Sequence, residues 1–117
     1  MIATIATSAL MGIDALPVAL EIDFSRQGLP AFVMVGLAEG AVREAKERAF
    51  SALKSSGYKL PPARITVNLA PADVRKEGSA YDLPLAVGLM AAAGIIPTDA
   101  LHGWHLAGEL SLTGGLK

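Results

Sequence analysis

The residues able to do chemistry crowd into one segment, Asp73-Val-Arg-Lys-Glu-Gly-Ser-Ala-Tyr-Asp82. It follows an alternating run that ends at Leu69 and leads into an apolar run that starts at Leu83. If the apolar run is a helix, its first N–H groups lack intrahelical acceptors and can hold an oxyanion or an acidic partner. Ser79 is a candidate nucleophile, with Lys76 or Lys117 as its base. A Ser–Lys dyad works because a desolvated Lys loses its proton and can then take the proton of the hydroxyl. The competing reading is quieter. Ser79 and Asp82 compete to cap the helix, with Asp82 the expected cap, while Arg75 and Lys76 stay in water. The charges of Asp73, Arg75, Lys76 and Glu77, with the ring of Tyr81, also make the twelve-residue loop 70–81 a candidate binding surface. Loops of this length in compact domains are often functional.

Other chemistries find less support. The chain has no Cys, which removes disulfides and thiolate metal sites. Two histidines, His102 and His105, are too few to argue for a metal, so neither a metal nor a cofactor site is expected in this chain. A phosphate-binding loop needs G-x-x-x-x-G-K-[ST], and nothing fits it. Val35-Gly-Leu-Ala-Glu-Gly40 sits between a strand and a helix, but its glycines are wrongly spaced and Glu39 would repel phosphate. Net charge is −1 with no block of like charge, so no global pull toward nucleic acid exists, although a local basic patch can. The longest uncharged apolar stretch, residues 83–96, has fourteen residues, short of the roughly 20 that cross a bilayer. The start has no basic n-region. A soluble, cytoplasmic protein without membrane contact is the expectation.

The elements that must position the loop follow from hydrophobic periodicity. With 52% hydrophobic and 18% charged residues, the 117-residue chain suits one folded domain, residues 1–117. Residues 1–24 read as two strands joined by a turn at 12–14. In the second, Val18, Leu20, Ile22 and Phe24 alternate with Ala19, Glu21 and Asp23, the mark of a strand with one face in solvent. Gln27-Gly28-Leu29-Pro30 breaks the chain before a third strand, Phe32-Val33-Met34-Val35. Short connections here predict an antiparallel meander. Over residues 38–56 the period becomes helical, with Val42, Ala45, Ala49 and Leu53 inward and Arg43, Glu44, Lys46, Glu47 and Arg48 on the other face, which reads as solvated or else as a contact surface for a neighbouring subunit or nucleic acid. Glu44 and Arg48 form an i,i+4 pair, and Gly57 closes the helix. Residues 64–69 alternate as a fourth strand. A second helix runs from Asp82, with Pro84 in its first turn, to Ala93, and it is apolar on all sides and so buried. Gly94 ends it, and residues 105–112 read as a fifth strand. The order β-β-β-α-β-α-β predicts a two-layer α+β sandwich on a mixed sheet.

Several of these segments together resemble one family. RITVNLAPADVRKEGSAYDLPLAVGLMAAAG (64–94), ALMGI (9–13), GLPAFVMVGLAEGAVREAKER (28–48) and AGELSL (107–112) are similar to the Lon-protease-like, N-terminal domain of the ComM/YifB group of Mg-chelatase-like AAA+ ATPases. The resemblance covers essentially the whole chain. It implies a fold shared with the proteolytic domain of Lon and the second domain of a small-subunit ribosomal protein. It also implies that the chain is cut before a AAA+ module that binds ATP and Mg. Members are similar to bacterial DNA-processing motors, including one that drives branch migration during natural transformation. The Mg-chelatase label reflects likeness in the ATPase and does not imply porphyrin chemistry.

Departures from Lon bear on catalysis. Lon carries Lys-Asp-Gly-Pro-Ser-Ala-Gly before its helix, with the Ser as nucleophile. Aligned on Lys76-Glu77-Gly78, the nucleophile position falls on Ala80, and Ser79 takes the place of the proline. Gly114-Gly-Leu-Lys117 resembles the segment that supplies the catalytic Lys. The resemblance therefore implies a non-catalytic domain, with Ser79 and Lys117 as the remaining candidates for a Lon-type peptidase. Three functions follow as expectations. The first is a non-enzymatic domain serving an ATP-driven motor, with the AAA+ module of its own chain, DNA and a hexameric assembly as partners. The second is a working Ser–Lys peptidase, and the third a free-standing nucleic-acid-binding module. For the third, Arg64, Arg75 and Lys76 are diluted by Asp73 and Glu77, and Tyr81 is the ring available for stacking.

Overall fold

Alternation builds the sheet. In the computed structural model, which describes residues 2–11, 14–71, 76 and 80–116, strand β1 spans Ile2–Met11 and β2 spans Asp14–Ser25. They pair antiparallel from Ile2 opposite Asp23 to Met11 opposite Asp14. The inward residues Val18, Leu20, Ile22 and Phe24 are buried, whereas Glu21 and Asp23 are exposed, as the period of two predicts. Most of the expected turn at 12–14 lies outside the described residues.

The third strand does not continue a meander. β3, Ala31–Val35, lies parallel to β4, Arg64–Ala70, and β4 pairs antiparallel with β2, giving the order β1-β2-β4-β3. Parallel neighbours need a crossover of a dozen or more residues, and helix α1, Glu39–Ser55, provides it. β4 is thereby placed second from the edge, with Ile65, Val67 and Leu69 in the core. The result is a mixed four-stranded sheet with two helices, an α+β fold.

Both helices end as their glycines require. After α1, Gly57 takes φ +88 and donates its N–H to Lys54, while Tyr58 donates to Leu53. After α2, Asp82–Ala92, Gly94 takes φ +83 and donates to Ala91, while Ile95 donates to Met90. Both are Schellman closures, in which a left-handed residue lets the chain satisfy the last carbonyls. α2 is apolar around its circumference and packs on β1 and β2, with Leu85 and Leu89 fully buried. Gly88 permits that approach, since a Cβ there would lie 2.6 Å from Ile22 Cδ1.

The expected fifth strand at 105–112 does not form. This segment makes two isolated bridges, Ala6 with His105 and Leu110 with Leu116. Its polar groups are divided among separate partners instead of one neighbouring strand. Leu106 donates to Ala6, and Gly108 both donates to Ala80 and accepts from Leu83. No helix among the described residues is long and apolar enough to cross a membrane.

Candidate functional site

The entry to α2 joins three stretches of chain. Tyr81 and Asp82 stand at the start of the helix, Arg48 reaches Asp82 from α1, and residues 106–110 run alongside. Asp82 is fully buried. Its carboxylate accepts from Arg48 Nε at 2.5 Å (Oδ2), from Arg48 Nη2 at 3.2 Å (Oδ1) and from the Leu110 N–H at 3.1 Å (Oδ2). A charge taken out of water needs such a set of donors, and the guanidinium fork matches a carboxylate. The hydrogen bond to Asp82 raises the Arg48 pKa from its ordinary value, against an opposing effect of desolvation.

This geometry corrects the expected role of Asp82. It is the first residue of the helix with its carboxylate on Arg48 and Leu110, and Tyr81 before it is in the αR region and makes no side-chain cap bond. A capping side chain belongs to a residue outside the helix with extended backbone. The backbone does the capping here, since the Leu83 N–H is taken by the Gly108 carbonyl at 3.0 Å. Arg48 is corrected as well. Its exposed contact with Glu44, at 3.7 Å, is secondary to the buried one, and only 21% of its side chain remains exposed.

Two members of the candidate binding loop fall within the described residues, and both are buried. Lys76 is 7% exposed and donates from Nζ to the Pro71 carbonyl at 2.6 Å. Its stem passes Gly36, where an added Cβ would come 3.3 Å from Lys76 Cε and 2.8 Å from Leu69 Cβ. Lys76 is therefore an internal tie and not a solvated cation. Tyr81, expected as a stacking ring, is 2% exposed, and burial pushes its phenol pKa up. Ala80 is exposed, and its carbonyl accepts the Gly108 N–H at 2.8 Å. Asp73, Arg75, Glu77, Ser79 and Lys117 lie outside the described residues.

The sequence reading missed Arg48, Gly108 and Leu110 as parts of this site. One signal was present. An acid opening a helix that is apolar on every side will be buried, and a buried acid needs a cation. A further pair, Ser8 Oγ and His105 Nε2 at 2.5 Å, lies where residues 105–106 meet β1. Among the described residues, no three His, Cys, Asp or Glu side chains converge as metal ligands would.

Comparison with known proteins follows the same outline. Residues 20–117 match the family described as subunit ChlI of Mg-chelatase. The chain is 47% identical over 116 residues to an uncharacterized protein YifB of Salmonella typhimurium, covering 99% of this chain and 23% of that relative. It is 44% identical over 116 residues to the competence protein ComM of Haemophilus influenzae, again 99% of this chain and 23% of the relative. An uncharacterized protein of Mycobacterium tuberculosis is 38% identical over 109 residues, 93% of this chain and 22% of that protein. The chain thus spans 22% to 23% of the length of these relatives.

Proposed function

Since the chain belongs to the Mg-chelatase ChlI family and has YifB and ComM proteins as relatives, we propose that it is the non-catalytic N-terminal domain of an ATP-driven, DNA-processing motor. In this reading the domain supports a AAA+ module elsewhere in the same protein, where ATP and Mg bind. The motor works in the cytoplasm as a ring of subunits, and DNA is its substrate. One of these relatives is named a competence protein. The observation that carries the non-catalytic part is the α2 entry itself. Ala80, aligned with the Lon nucleophile, offers no hydroxyl, and the charged groups described beside it are engaged in holding the fold. Asp82 is spent on Arg48 and Leu110, and Lys76 on Pro71.

The test compares the full-length protein with a version lacking residues 1–117. Retained ATP hydrolysis with loss of DNA stimulation or of branch migration is the expected result. Hydrolysis of an unstructured protein substrate by the 117-residue chain, abolished by Ser79→Ala, would establish the peptidase instead. Within the loop, Arg75→Glu is the informative charge reversal, because reversal at the buried Lys76 would disturb folding.

A further inference from the structure

Helix α1 separates its charges by face. Arg43, Glu44, Glu47 and Arg48 line a shallow hollow on one side. Lys46, Phe50 and Lys54, spaced i, i+4, i+8, form a stripe on another. That stripe faces a groove of about 600 Å³ between α1, the start of β3 and the Tyr58–Ala63 connection. Phe32 and Phe50 meet edge to face in its wall, 5.7 Å between centroids at 81°. Tyr58, 43% exposed, stands at the rim. Lys46, Lys54 and Lys59 also line it, three of the five lysines in the chain, and among the described residues no Asp or Glu does. The chain as a whole carries a net charge of −1. The positive charge along the α1 side of this apolar groove is therefore a local arrangement, not the consequence of a basic protein.

We propose that this groove docks an acidic peptide segment of a partner protein, with apolar side chains seated between Phe32, Phe50 and Tyr58 and carboxylates against the three lysines. Apolar anchors flanked by like charge define both halves of such a ligand. The hydrophobic contacts supply affinity, while the lysines select acidic flanks and speed association. Single-stranded nucleic acid fits the arrangement less well. Bases stack on open ring faces, whereas Lys46 Nζ already lies over Phe32, 5.4 Å from its centroid, and Phe50 packs against the same ring. The surface is separate from the α2 entry, so the proposal does not depend on what that site does.

The experiment uses the 117-residue chain and fluorescein-labelled peptides of about twelve residues, a length sufficient to cross such a groove. One peptide alternates Glu and Asp with Leu and Phe, and a second has the same apolar residues with Lys replacing every acid. A labelled oligothymidylate of similar length is the third probe. Saturable anisotropy with the acidic peptide alone is expected. The combined variant Lys46→Glu, Lys54→Glu, Lys59→Glu should weaken it by at least about tenfold while still unfolding cooperatively in urea. All three side chains are exposed, so folding should survive. Amide shift mapping on the unaltered chain should centre on Phe32, Phe50 and Tyr58, which checks the site without any variant. No saturable binding, equal binding of the Lys peptide, preference for oligothymidylate, or self-association mapping to the groove would each overturn the proposal.

Discussion

Replacing Arg48 by Met isolates the buried ion pair, because Met keeps most of the stem and removes the guanidinium. Asp82 would then keep one of its three donors, the Leu110 N–H, inside a fully buried position. Breaking a buried pair from one side typically costs about 3–5 kcal/mol, since the remaining charge is left uncompensated. The Arg48 side chain is 21% exposed, so water can reach part of the vacated space, and the low end is appropriate. The expected loss is about 3 kcal/mol. With a urea m-value of about 1.5 kcal/mol/M, the midpoint should fall by about 2 M. The exposed Glu44 contact provides the internal control. Glu44 is 72% exposed at 3.7 Å, and Glu44→Gln should cost less than about 0.5 kcal/mol. Adding Asp82→Asn to Arg48→Met removes the orphaned charge and should recover at least about 1 kcal/mol relative to additivity. Additive costs, or an Arg48→Met midpoint within about 0.3 M of the parent, would refute the reasoning.

Three further outcomes test neighbouring features. Gly36 has φ +105 with a virtual Cβ 2.9 Å from the Leu69 carbonyl oxygen, so Gly36→Ala should lose about 2 kcal/mol or more by thermal or urea unfolding. Lys76→Glu should lower the urea midpoint clearly while Lys59→Glu leaves it unchanged, because the first is buried and tied to Pro71 and the second is exposed. Burial raises the Tyr81 phenol pKa in the folded chain. The stability tied to its neutral form is therefore complete below the unfolded value of about 10 and is lost as pH rises through the folded one. Urea midpoints at alkaline pH should fall more steeply for the parent than for Tyr81→Phe, and equal slopes would contradict the burial.

What the sequence made legible is what depends on neighbours along the chain. The alternation at Val18, Leu20, Ile22 and Phe24 does identify a half-covered strand, and these four are buried. The apolar circumference from Leu83 onward does identify a buried helix. Gly57 and Gly94 mark its end and that of α1, because left-handed backbone is a local demand. Strand order is different. Ile65, Val67 and Leu69 alternate equally well at an edge or beside two neighbours. The choice is made by β4 pairing with both β2 and β3, which a one-residue pattern cannot express.

The site was misread for a related reason. An Asp just before an apolar run looks like a cap, and an Arg on a charged helix face looks solvated, when each is judged against its own segment. Both judgements fail because residues 106–110 pack against the start of the helix. Gly108 accepts the Leu83 N–H at the start of the helix, and Leu110 donates to the Asp82 carboxylate. Asp82 is covered by that segment, and among the described residues Arg48 is the cation that reaches it. The same division of polar groups explains why residues 105–112 do not form a strand. A ladder needs one neighbour along its length, while this segment bonds to Ala6 of β1, to Ala80, to Leu83 and to Asp82 in turn. It ties the edge of the sheet to the start of α2, and through Asp82 to α1. Ala80 is built into that tie, because its carbonyl accepts the Gly108 N–H.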